Sequence, residues 1–165
     1  MRKGFTLVEL LIVITVIVIL AAITVVAYGS LQNHGYEAAV QSDLDSAAGL
    51  IESFRVSTSS SRTFPQSTTD LSAVGLKATK ASYDVSVAAN FVYCANTTDY
   101  QSYYLAALSK DDAVYLMTQD GFTSTTLTAS SFANATSLCS SFGANFSLVS
   151  SGMSSANTWQ SWINS

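Results

Sequence analysis

GFTLVELLIVITVIVILAAITVVA, residues 4–27, is apolar except for Thr6, Thr15, Thr24 and one carboxylate, Glu9. As a helix from Phe5 to Ala27 it would run roughly 35 Å at about 1.5 Å per residue. That is long enough to cross a hydrocarbon core of about 30 Å with some tilt. A secretory signal peptide is the competing reading, with Arg2 and Lys3 as its basic start. Its apolar core would be only about 7–15 residues, closed by a small-residue cleavage site. Ala21-Ala22 is the nearest match to such a site, but Ile23, Val25 and Val26 continue the apolar run past it. A spanning helix is therefore expected, with Arg2 and Lys3 holding its N-terminal end in the cytoplasm.

Glu9 needs its own explanation. A carboxylate in a lipid-facing helix is costly at depth and less so near the interface, so such groups find partners or stay protonated. Glu9 lies close enough to the helix end to snorkel to the headgroups. The residues around it point elsewhere: a basic pair, then Gly4-Phe5-Thr6-Leu7-Val8-Glu9, then an unbroken apolar run.

MRKGFTLVELLIVITVIVILAAI closely resembles the class III signal and N-terminal helix of type IV pilins and the related pseudopilins. The close likeness covers about the first thirty residues and is architectural beyond them. It implies that a prepilin peptidase in the membrane cuts between Gly4 and Phe5 and that Phe5 becomes the N-methylated first residue. It further implies that Glu9 pairs with the positive N-terminus of a neighbouring subunit. Desolvating both ions offsets much of their attraction, so such a pair chooses the stagger of otherwise similar helices more than it stabilises them. The partners implied are the membrane before assembly, the pilus assembly machinery, and further copies of the chain in a homo-oligomeric helical filament outside the cell. Many type IV pilins carry a helix breaker past the middle of the apolar half. This chain has no proline there, and Gly29-Ser30 is the nearest substitute.

The composition suits an exported domain behind such a helix. The chain is 48% hydrophobic and 11% charged, with a formal net charge of −4. Without Arg2 and Lys3, five basic residues face eleven acidic ones, a net charge of −6. No Lys/Arg cluster remains to track a phosphate backbone, so direct nucleic-acid binding is not expected. In an oxidising compartment Cys94 and Cys139 would pair, closing a loop worth about 4 kcal/mol in the chain-entropy model. The alternative is two buried thiols behaving as small apolar residues. With His34 as the single histidine, they cannot complete a four-ligand zinc site.

Past Tyr28, which reads as an interface aromatic, the pattern turns amphipathic. Tyr36, Val40, Leu44, Ala47, Ile51 and Phe54 follow at spacings of four, four, three, four and three, the stripe of a helix burying one face. Gln41, Asp43, Asp45 and Glu52 fall on its other faces and are expected to stay wet. Ser57–Asp70 is polar and holds the one proline, so it reads as a loop, after which Asp70 could N-cap a short helix Leu71–Val74 closed by Gly75. Three strands follow: Tyr83–Cys94, Tyr100–Leu108 and Ala113–Thr118, joined by Lys110-Asp111-Asp112 and ended by Asp120-Gly121. Short connections favour an antiparallel meander. From Thr123 to Ser155 the chain is Ser/Thr/Ala/Asn-rich, with Phe132, Leu138, Phe142, Phe146 and Leu148 as buried candidates. Trp159 and Trp162 would share a face if the terminus were a helical turn.

There is no G-x-S-x-G, P-loop or dinucleotide fingerprint, so no enzyme activity and no cofactor are expected. Asp99, Asp111, Asp112 and Asp120 lack EF-hand spacing and read as solvated turns, so no metal is expected. The expected fold is α+β: a long N-terminal helix, half membrane and half amphipathic, packed on a small antiparallel sheet. Residues 1–4 would be the leader, 5–29 the transmembrane and filament-core helix, and 30–165 the head. Within the head, 30–56 would be amphipathic helix, 57–82 loop, and 83–165 sheet and C-terminal region. The function expected is a structural subunit of a type IV pilus. A minor pilin or a secretion or competence pseudopilin shares the motif, and a non-polymerising, membrane-tethered binding module is the rival of a different class.

Overall fold

A computed structural model describes residues 4–57, 62–87, 89–155 and 158–164. Arg2 and Lys3, and Ala88 within the first expected strand, lie outside the described residues. The chain divides into two compact units, Met1–His34 and Gly35–Ser165, and helix α1, Leu7–Ser57, contributes to both.

In the first unit the helix is apolar on every side, and the large side chains from Leu7 to Ile23 are all half or more exposed, or close to it. It is long and apolar enough to cross a membrane by length and composition. Its threonines are provided for locally. Thr15 donates to the Ile12 carbonyl at 2.8 Å and Thr24 to the Ala21 carbonyl at 2.9 Å. A hydroxyl satisfied within its own helix carries little penalty in an apolar phase. Gly29-Ser30 does not interrupt the helical run.

The second unit is α+β. Val40, Leu44, Ala47 and Ile51 on α1 are fully buried at the spacing read from the sequence. They share one core with Tyr93, Leu105 and Met117 of a five-stranded sheet. The strands are β2 Phe91–Asn96, β3 Tyr103–Leu108, β4 Val114–Thr118, β5 Gly121–Thr123 and β6 Phe146–Ser151. Their order is β5-β4-β3-β2-β6, antiparallel throughout. Tyr93 sits opposite Leu105 and Leu105 opposite Met117, so these side chains share the face towards α1. Their neighbours Cys94, Tyr104 and Leu116 point the other way, where Cys94 and Leu116 join Phe132, Leu138 and Cys139 in a second core. Helix α3, Ala135–Ser141, lies over part of that face.

Around the sheet, α2 spans Thr68–Val74, and β1, Leu76–Lys77, pairs in parallel with β9, Ile163–Asn164. Strand β7, Met153–Ser155, pairs with β8, Thr158–Trp159.

Several boundaries differ from the sequence reading. The first long strand starts at Phe91 rather than Tyr83. Asp84 takes the Ser86 N–H at 2.8 Å in a local turn, leaving Tyr83 a single bridge to Ser109. The second starts at Tyr103 because Tyr100 adopts a left-handed conformation, φ 53°. At Asp120-Gly121 the chain does not leave the sheet. Gly121, φ 109°, reverses it into β5. The N-cap of α2 is Ser67, and Asp70 is the N3 member of a capping box whose Oδ2 accepts from Ser67 N–H at 3.0 Å. The two tryptophans lie on extended and turn backbone rather than a helical turn. Trp159 meets Tyr83 edge-on at 5.5 Å and Trp162 meets Phe91 at 6.0 Å, so both dock on the domain.

Candidate functional site

Gly4, Phe5 and Thr6 precede the first helical turn and have no regular structure. All three are exposed, Phe5 at 84%. The peptide bond between Gly4 and Phe5 thus lies in accessible, non-helical chain, the form a protease needs.

The helix begins with a reciprocal cap. Glu9 N–H donates to Thr6 Oγ1 at 3.3 Å, while Glu9 Oε2 accepts the Thr6 N–H at 2.9 Å and the Thr6 hydroxyl at 2.7 Å. The first N–H groups of a helix have no partner within it. Where water is scarce, a threonine and a glutamate three residues apart supply partners from their own side chains. Both Thr6 bonds fall on Oε2, and a carboxylate can accept further bonds on its other oxygen. Sequence reasoning singled out Glu9 for its charge and missed this local role, although T-x-x-E ahead of an apolar run is a capping-box signature.

Cys94 on β2 and Cys139 on α3 form a disulfide, with Cα atoms 5.5 Å apart. Both are fully buried. The bond ties α3 to the sheet face opposite α1.

Asp43 departs from expectation. It is half-buried rather than wet, and takes the Thr79 N–H at 2.6 Å, the Thr79 hydroxyl at 3.1 Å and the Tyr83 hydroxyl at 3.1 Å. Burial, and after it the charge of Asp43, pushes the Tyr83 phenol above its ordinary range. The acidic turn residues do not converge. Asp99 Oδ1 accepts from Gln101 N–H at 2.9 Å, Asp120 Oδ2 from Gln119 Nε2 at 3.3 Å, and no group of three His, Cys, Asp or Glu gathers among the described residues.

No curated protein and no solved structure matches the chain. One family model does, over residues 1–25. The N-terminus of this chain is thus a prokaryotic N-terminal methylation motif, the class III signal, running into a long apolar helix as in a type IV pilin-like precursor.

Proposed function

We propose that the chain is the structural subunit of an extracellular type IV pilus. Residues 1–4 are the leader, 5–29 anchor the precursor in the cytoplasmic membrane and later form the filament core, and 30–165 form the head. The prepilin peptidase cuts between Gly4 and Phe5 and methylates Phe5. The pilus assembly machinery then extracts the subunit into a homo-oligomeric helical filament. The observation that carries this reading is the methylation motif ending in an apolar helix with a single carboxylate in its first turn. Glu9 is the charge that meets the ammonium of a neighbour's Phe5, while Thr6 fixes where that carboxylate sits. The disulfide fits a subunit exposed to the oxidising environment outside the cell.

The experiment is mass spectrometry of sheared surface material. The chain should dominate the filaments, with its N-terminal peptide starting at methylated Phe5, and Gly4→Val should leave unprocessed precursor in the membrane. Assembled filaments that retain Gly4 would overturn the assignment. A chain present only in trace amounts in the filaments would instead be a minor pilin or pseudopilin. One confined to membranes would be a tethered binding module.

A further inference from the structure

The sheet face opposite α1 is only partly covered. Helix α3 packs on β6 and on the short 3-10 helix Ala129–Ala133. Between the end of α3 and the segment after β5, a surface groove of about 830 Å³ remains. Its lining has two characters. On one side Tyr104 stacks on Phe142, with centroids 4.2 Å apart and planes 17° apart, and meets Phe146 edge-on at 4.8 Å. Around this aromatic wall stand Ser102, Thr118, Asp120 and Ser124. The size falls within the range of small-ligand sites.

The lining restricts what can bind. No Lys, Arg or His is among its described residues. A phosphorylated or sulfated ligand would find no cation, and would meet Asp120 in a chain whose formal charge is already −4. A wholly apolar ligand would strip water from hydroxyls and a carboxylate and give them nothing in return. A neutral polyhydroxylated ligand with apolar C–H faces meets neither objection. Its C–H face lies against the aromatic rings while its hydroxyls donate to Asp120 and exchange hydrogen bonds with the serine and threonine hydroxyls.

We propose that this groove binds a neutral oligosaccharide, with Tyr104 and Phe142 as the apolar wall and Asp120 as the main acceptor. The groove lies on the sheet face opposite the buried stripe of α1. Its chemistry does not depend on the filament reading.

The test uses the full chain in dodecylphosphocholine micelles, a detergent without sugar. Maltotriose, cellotriose and chitotriose are titrated by saturation-transfer NMR, with sialyllactose as the anionic comparison. At least one neutral trisaccharide should saturate, and sialyllactose should bind at least about tenfold more weakly. The double variant Asp120→Ala/Tyr104→Phe keeps the ring and alters one exposed position. It should lose at least about tenfold in affinity at an unchanged melting temperature. Ser124→Trp blocks the groove from its exposed rim and should abolish the signal without touching the aromatic wall. Failure of all three neutral sugars to saturate, equal binding of sialyllactose, or unchanged affinity in Ser124→Trp would overturn the proposal. Assembly plays no part in this assay, so a negative result leaves the filament reading standing.

Discussion

Glu9 Oε2 accepts two hydrogen bonds from Thr6, one from its backbone N–H at 2.9 Å and one from its hydroxyl at 2.7 Å. One side chain therefore holds both the start of α1 and the position of the single charge in the apolar run. Removing the threonine hydroxyl should leave the charge in place and free its direction. Thr6→Ala is expected to be processed and inserted normally but to yield about fivefold fewer filaments, the size of a lost N-cap. Thr6→Ser should restore them. Filament yield after shearing, compared with the processed pool left in the membrane, measures this. Equal yields for Thr6→Ala and the parent would remove Thr6 from the mechanism.

The Cys94–Cys139 bond closes 45 residues of separation between β2 and α3. Cys94→Ala/Cys139→Ala should lower the stability of the head by about 4 kcal/mol in the chain-entropy model. The loss should appear as a lower melting temperature, and reductant should reproduce it in the parent and do nothing in the variant. Two alkylatable thiols in native extracellular material would refute the bond.

The α1 face and three central strands were legible because periodicity reports burial directly. Val40, Leu44, Ala47 and Ile51 repeat every three or four residues, and all are fully buried. Strand β6 was not legible. Its sequence, Phe146-Ser-Leu-Val-Ser-Ser151, alternates weakly, because an edge strand over a partly covered face leaves most of its side chains half-exposed. Asp43 was misread for a related reason. Its partners, Thr79 and Tyr83, lie 36 and 40 residues away, and no local pattern announces a contact made only by folding. At the candidate site the balance is reversed. Every residue involved falls within Gly4–Glu9, so a short motif carries the whole signal.

Gly152 carries a strict packing constraint that composition hides. A Cβ there would lie 2.9 Å from Phe91 Cβ, 3.1 Å from Asn90 Oδ1 and 3.2 Å from the Phe91 carbonyl oxygen. Phe91 and Asn90 are both buried, so neither can give way cheaply. Gly152→Ala should cost about 1–3 kcal/mol, the range for overpacking a filled core. Thermal unfolding of the full chain in detergent should show it, and an unchanged melting temperature would contradict this packing.

Tyr83, Tyr93 and Tyr103 give the head an alkaline limit. Burial pushes each phenol up, reinforced by Asp43 at Tyr83 and by the Tyr103 phenol at Tyr93. The folded chain thus keeps them neutral while the unfolded chain releases their protons near the ordinary tyrosine value of about 10. Below that pH their contribution is fully present. Above it, as pH rises towards the folded values, each tyrosine should withdraw up to about 1.4 kcal/mol per pH unit. Tyrosinate absorbance from these three should therefore rise only with unfolding. Complete titration of all eight tyrosines before the melt would contradict the burial. Tyr83→Phe should reduce the slope by one tyrosine while costing about 1 kcal/mol at neutral pH through the lost bond to Asp43.

The filament assignment is tested most sharply at Glu9, because an anchor and a subunit predict opposite things there. Glu9→Val removes the charge from the apolar run, so insertion into a bilayer should become easier. A chain that only needs anchoring would keep its abundance and location. A filament subunit would lose the partner for the ammonium that cleavage creates on a neighbour's Phe5. That charge would be left uncompensated in an apolar core, the costly way to break such a pair. The loss recurs at every subunit, so filament yield should fall to background while processed monomer accumulates in the membrane. Glu9→Asp should give an intermediate yield. It keeps the charge, but its shorter side chain weakens both the Thr6 bonds and the reach to a neighbour. Glu9→Gln separates the two roles, since its amide oxygen can still accept from Thr6 while its charge is gone. If capping alone matters, Glu9→Gln should assemble like the parent. If the charge matters, it should fail like Glu9→Val with its helix start intact. Normal filaments built solely from Glu9→Val would overturn the pairing mechanism, and with it the reason for a carboxylate at this position.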